Sequence, residues 1–193
     1  CDWSSDVCSS DLEAYEGTRD IIAKFVGVND RRQVVFTRGT TEAINLVCEG
    51  YVRPRVKPGD EILTTEMEHH SNIVPWQMLA ERTGAVLKVA PVRDDGSLDL
   101  EAMLNLIGPR TVLVTMTYIA NALGTVNPVR EVVAAAHAAG ARILIDGAQA
   151  MPHVPLNLTE LDIDFFAFSG HKVYAPTGIG GLIGRMDALE EME

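Results

Sequence analysis

Residues 111–117 read TVLVTMT and residues 142–145 read RILI, and neither run shows the in-and-out alternation of a strand with one wet face. Continuous apolar runs of strand length point to burial on both faces, which a largely parallel sheet covered by helices on both sides provides. The first run reads on as far as Ile119, and similar runs stand at Val34–Thr37, Glu61–Thr65, Ala85–Ala90, Asp164–Phe168 and Gly180–Ile183. Between them lie segments of helical period: Glu13–Val26, Thr41–Val52, Asn72–Arg82, Leu100–Ile107 and Val129–Ala139. Lys57-Pro58-Gly59-Asp60 and Asp94-Asp95-Gly96 mark turns. With no internal repeat and no linker, the reading is one α/β unit.

The chain of 193 residues is 47% hydrophobic and 22% charged, ordinary for a globular protein with a full core. Its apolar stretches are too short to cross a bilayer, so no membrane span is expected. A net charge of -11 argues against a nucleic-acid partner, which wants a basic face. Cys1, Cys8 and Cys48 form neither a CxxC pair nor an even framework, which favours a reducing, cytoplasmic setting. Residues 1–12 (CDWSSDVCSSDL) fit nothing after them and are read as a non-native or disordered scar outside the fold. Residues 13–193 are then the domain proper, with Met186–Glu193 reading as the start of a helix cut short.

Ligands of such sheets sit beyond the carboxyl ends of the strands, so the residues after each strand carry the functional reading. After Asp164–Phe168 comes Ser169-Gly170-His171-Lys172. A lysine just past a buried strand can be partly desolvated, which makes its amine a candidate nucleophile. Ser169 and His171 offer donors to an anion; a solvated surface loop is the plain alternative. After RILI comes Asp146-Gly147-Ala148-Gln149, a carboxylate placed to meet a buried cation or merely to cap a turn. Arg38-Gly39-Thr40-Thr41-Glu42 opens a helix with free N–H groups and hydroxyls, either a phosphate cradle or an ordinary Thr cap. In Glu68-His69-His70-Ser71-Asn72 an imidazole can lie on a flat ring, or the cluster can simply start a helix. Adjacent histidines rarely face one ion, so a metal is discounted. Asn121, after the longest strand, is a substrate-binding amide or a turn former. Each cluster is weak alone, but a parallel sheet brings all five to one edge.

RGTTEAINLV (38–47), EMEHHSNIVPWQ (66–77), NALGTVNPV (121–129), DGAQAMPH (146–153) and DFFAFSGHKVYAPTGIGG (164–181) resemble the class V aminotransferase superfamily. Within it they are most similar to the SUF-type cysteine desulfurases and selenocysteine lyases. The likeness covers about Glu13 to Arg185. It implies the large domain of a pyridoxal-5′-phosphate (PLP) dependent transferase, aspartate aminotransferase-like, truncated here without its C-terminal small domain. It implies that Lys172 holds PLP as a Schiff base, that Asp146 pairs with the pyridine nitrogen and that Gln149 bonds the ring hydroxyl. By the same resemblance His69 would stack on the ring, Thr40, Thr41, Ser169 and His171 would hold the phosphate, and Asn121 would meet the substrate carboxylate.

The reaction so implied takes sulfur from L-cysteine, leaving L-alanine and a persulfide on an enzyme cysteine, for iron–sulfur cluster assembly. A homodimer and a sulfur-acceptor protein are implied with it. The sequence departs from the family in lacking the C-terminal part that carries the nucleophilic cysteine and a carboxylate-binding arginine. Cys48 is no substitute, because it lies on the apolar face of its helix. Selenocysteine lyase, or another lyase or epimerase of the superfamily, uses the same core and stays open as an alternative. So does a non-catalytic fragment retaining only the fold.

Overall fold

The computed structural model describes residues 3–193. Helix α1 (Trp3–Phe25) leads through a turn into β1 (Val34–Thr37), and α2 (Thr40–Val47) runs on into a π-helical turn at Cys48–Val52. Then follow β2 (Glu61–Thr65), α3 (Val74–Thr83), β3 (Val86–Ala90), α4 (Leu100–Leu106), β4 (Thr111–Thr117) and α5 (Val129–Ala138). β5 (Arg142–Asp146), the short α6 (Ala150–His153) and α7 (Leu158–Leu161), β6 (Phe165–Ser169), β7 (Gly180–Gly184) and α8 (Met186–Glu190) complete the chain. Within a residue or two these are the expected strands.

The seven strands form one sheet in the order β1-β7-β6-β5-β4-β2-β3. From β6 to β3 every pairing is parallel, and β7 is antiparallel to both its neighbours. The expected mostly parallel α/β sheet is therefore present, with β7 as its one reversed strand. Each central strand feeds two cores by simple alternation. Val114, Met116, Ile143, Ile145, Phe166 and Phe168 join α1, α5 and α6 on one face. Leu113, Leu144, Phe165 and Ala167 join α2, α3 and α8 on the other. A run apolar at every position is what such a double-sided strand requires.

Two differences from expectation have physical reasons. Residues 3–12 were expected outside the fold, yet they form the first turns of α1; Cys1 and Asp2 of that segment lie outside the described residues. Ser10, Asp11, Leu12 and Glu13 are exposed, and the helix is anchored further on, at Ala23 and Val26. Adding turns to an existing helix costs far less than nucleating one. The Asn72–Arg82 segment begins as a 3₁₀ turn at His70–Asn72, and α3 proper starts at Val74 with Pro75 in its first turn, where a missing N–H costs nothing.

Because β1, β2, β4, β5 and β6 run in one direction, their carboxyl ends share one edge of the sheet. Thr37, Thr65, Thr117, Asp146 and Ser169 are the last residues of those strands. Cys48 is buried and its thiol donates to the Pro75 carbonyl at 3.6 Å. Burial pushes that thiol up to about 12, so at neutral pH it is a core residue and not a nucleophile.

Candidate functional site

At that edge a cavity of about 190 Å³ is lined by Thr40, Thr41, His69, Asn121, Asp146, Gln149, Ser169, His171 and Lys172. All nine were expected at the site from the sequence. Met67, Ser71, Thr117, Ile119 and Ala148 complete the wall.

One end of the cavity is a cradle of donors. Gly39, the residue before α2, holds φ +149°, which glycine alone adopts freely. Its backbone lies against Gly180 of β7, where a Cβ would come within 2.6 Å of the Gly39 Cα. This close approach lets the Thr40 N–H reach the Ser169 Oγ at 2.9 Å, with the two hydroxyl oxygens 2.8 Å apart. The start of α2 and the end of β6 are thus joined. Thr40 is not a Thr N-cap: Glu42 turns back instead, accepting the Arg38 N–H at 2.5 Å. The hydroxyls of Thr40, Thr41 and Ser169 stay at the cavity, beside His171, at the positive end of a helix.

Asp146 lies across from the cradle at the end of β5. It is buried, and one carboxylate oxygen accepts the Ala148 N–H at 2.9 Å. Burial raises its pKa, against the opposing pull of that N–H and of the Lys172 and His69 charges. A desolvated carboxylate of this kind is relieved by a cation bound against it. The turn that presents it depends on Gly147, where a Cβ would lie 1.9 Å from the Phe166 ring.

Lys172 follows β6 in a 3₁₀ turn, Gly170–Val173. Its Nζ donates to Asn121 Oδ1 at 3.3 Å, and Gln149 Nε2 donates to the same oxygen. One amide therefore gathers the amine and the Gln149 side chain. Opposite, Nδ1 of His69 accepts the Ser71 N–H at 3.2 Å and lies 2.8 Å from the Ser71 Oγ. His70 stands edge-on to His69 at 6.1 Å and does not line the cavity. The donor set fits a flat group with an anion at one end and a ring cation at the other, beside an amine able to bond it covalently.

Two features escaped the sequence reading. Ser71 orients the imidazole. Glu68 lies buried beneath His69, with three donors on its carboxylate. Nothing local in the sequence marks Glu68, since one of those donors is the N–H of Thr117, on β4.

The family described as Aminotransferase class-V matches residues 5–193. A cysteine desulfurase of Pectobacterium atrosepticum is 52% identical over 93% of this chain and 44% of its own length. The solved structure of the cysteine desulfurase CsdA from Escherichia coli superposes with a TM-score of 0.93 at 41% identity, over 100% of this chain and 48% of that one. A variant of the enzyme C-DES, solved with glycine covalently linked to its PLP cofactor, gives a TM-score of 0.89 at 29% identity. It is matched over 99% of this chain and 50% of that one. The chain thus spans from about a quarter to about half of the length of the relatives it matches.

Proposed function

The chain belongs to the class-V aminotransferase family, and from that premise we propose that residues 13–193 are the PLP-binding large domain of a cysteine desulfurase. The observation that carries the reading is the single cavity shared by an amine, a buried carboxylate, an imidazole and a hydroxyl cradle. In this reading Lys172 holds PLP covalently. Thr40, Thr41, Ser169 and His171 bind its phosphate, Asp146 pairs with its ring nitrogen, Gln149 bonds its ring hydroxyl and His69 lies on its face.

Bound there, PLP supplies an electron sink for the α-carbon of the amino-acid substrate. The chain's own groups do the rest. Asp146 would pair with the ring nitrogen, because a desolvated carboxylate is relieved by a cation held against it. Asn121 orients the substrate carboxylate and, in its absence, the Lys172 amine. The Lys172 amine, at the cavity beside Asn121, would be the group that carries the α-proton. L-Cysteine loses its sulfur to a cysteine thiolate, forming an S–S bond as the C–S bond breaks, and leaves as L-alanine. Cys48 is buried and protonated, so in this reading it is not the accepting cysteine. A homodimer, an acceptor protein for the sulfur and iron–sulfur cluster assembly in the cytoplasm complete the proposal. Among the described residues no helix is long and apolar enough to cross a membrane.

The test is the visible spectrum of the purified chain with PLP, before and after borohydride, beside Lys172→Ala. An absorbance band that depends on Lys172 and is bleached by borohydride is expected. A folded chain with no such band, or an identical band in Lys172→Ala, refutes the site.

A further inference from the structure

Beneath the imidazole, the Glu68 carboxylate ties three elements together. Oε1 accepts from the Thr65 hydroxyl of β2 at 2.6 Å and from the Thr117 N–H of β4 at 2.8 Å. Oε2 accepts from the Asn72 amide at 2.7 Å. Asn72 cannot turn over, because its Oδ1 accepts both the Trp76 Nε1–H at 3.0 Å and the Thr115 hydroxyl at 2.7 Å. Glu68, Asn72, Thr115 and Thr117 are all buried. Three donors converge on this carboxyl, and an amide in its place would turn an NH₂ toward one of them.

We propose that Glu68 is a positioning residue, its carboxylate locking the 66–72 loop to the end of β4 and thereby fixing His69 over the cavity. Its role rests on the proposed PLP reading only for what His69 then touches; the lock itself is a property of the chain. His69 is the next residue, and its carbonyl closes the same turn by accepting the Asn72 N–H at 2.7 Å. On the other side Met67 lines the cavity, its sulfur accepting from Asn127 Nδ2 at 3.0 Å. Glu68 has no cation among these partners, and Asp146 adds like-charge repulsion, so a carboxylate here is costly. A position that only filled space would be better apolar; the convergence of donors from three elements gives the carboxylate its use.

The network prescribes its own test. Glu68→Gln turns an NH₂ toward a donor whichever way the amide lies. Asn72→Asp sets two carboxylates against each other. The double variant, Glu68→Gln with Asn72→Asp, reverses one hydrogen bond and keeps all the others. One oxygen of the new carboxylate at position 72 still accepts from Trp76 and Thr115, and its other oxygen accepts from the new amide at position 68. The readout is the pair of His69 ring-proton signals in the PLP-free chain, assigned with His69→Gln, together with the PLP concentration giving half-saturation of the Lys172-dependent band. In Glu68→Gln the His69 signals are expected to move and half-saturation to rise roughly tenfold, the scale of one buried hydrogen bond lost. In the double variant both should return to within about twofold of the parent. A merely structural Glu68 would lower the melting temperature and leave the His69 signals in place, which overturns the proposal. So does a double variant no better than the single. If Glu68→Gln fails to fold, a folded double variant with parental His69 signals supports the proposal, and a double variant that also fails to fold refutes it. The NMR arm needs no PLP, so a parent chain that binds none sinks the desulfurase reading while leaving this one to be decided.

Discussion

At the scale of single residues, the site sets two buried carboxyls close enough to repel. Burial pushes Glu68 up to about 7, and Asp146 is raised as well. An unfolded glutamate gives up its proton near pH 4.5, so between that value and about 7 the native state holds the proton more tightly. Stability fully present below pH 4.5 is therefore lost as the pH rises to about 7, by on the order of 3 kcal/mol from Glu68 alone. Urea unfolding at pH 5 and pH 7.5 should show the parent losing more stability over that rise than Glu68→Gln does, by about this amount. Equal losses in the two proteins would mean that Glu68 is already ionised at pH 5. The difference between Glu68 and Lys172 also shows what a sequence makes legible. Lys172, Asp146 and His69 each stand just after a strand within a short distinctive motif, so their function could be read locally. Glu68 sits in the same motif as His69, but its meaning comes from Thr117 on β4 and Asn72 beneath it, contacts that only the fold makes.

At the scale of elements, the site is a set of strand ends held in register by glycines. Gly147 lets the turn after β5 pass over Phe166, and Gly180 lets β7 start against the Gly39 backbone. At Gly147 the obstacle is the ring of Phe166, fully buried in the core, so it cannot swing aside cheaply. Gly147→Ala should destabilise the chain by about 1–3 kcal/mol, the usual cost of overpacking, and should also displace Asp146. Thermal melting and PLP titration check the two consequences together. A melting temperature and PLP affinity both within error of the parent would mean that the turn after β5 has room to spare. Strands were legible because burial on both faces writes an unbroken apolar run, as in β4 and β5. The four-residue helices α6 and α7 were not, since one turn is too short for a 3.6-residue period to show. The first turns of α1 were missed for another reason: the Ser/Asp-rich run CDWSSDVCSSDL (1–12) carries no apolar stripe of helical period to read.

At the scale of the whole molecule, the sheet order β1-β7-β6-β5-β4-β2-β3 could not be read from the strands themselves, because parallel neighbours need no shared turn to announce them. Its consequence is that the cavity draws on the chain from Thr40 near one end to Lys172 near the other. A ligand gripping the cradle, Asp146 and Lys172 at once therefore links α2, β5 and β6, and it has no comparable site on the unfolded chain. Binding of that kind stabilises by RT ln(1 + [L]/Kd), about 2.7 kcal/mol at a hundredfold excess over Kd. For a domain of this size that is roughly 5–10 °C in melting temperature. PLP at saturating concentration should produce such a rise in one cooperative transition, seen alike by far-ultraviolet circular dichroism and by tryptophan fluorescence. Inorganic phosphate fills only the cradle, so it should give a smaller shift that survives in Lys172→Ala, whereas most of the PLP shift should not. If PLP and phosphate raised the melting temperature equally, binding would be confined to the Thr40–Ser169 corner, and the amine and the carboxylate across the cavity would have no part in holding the ring.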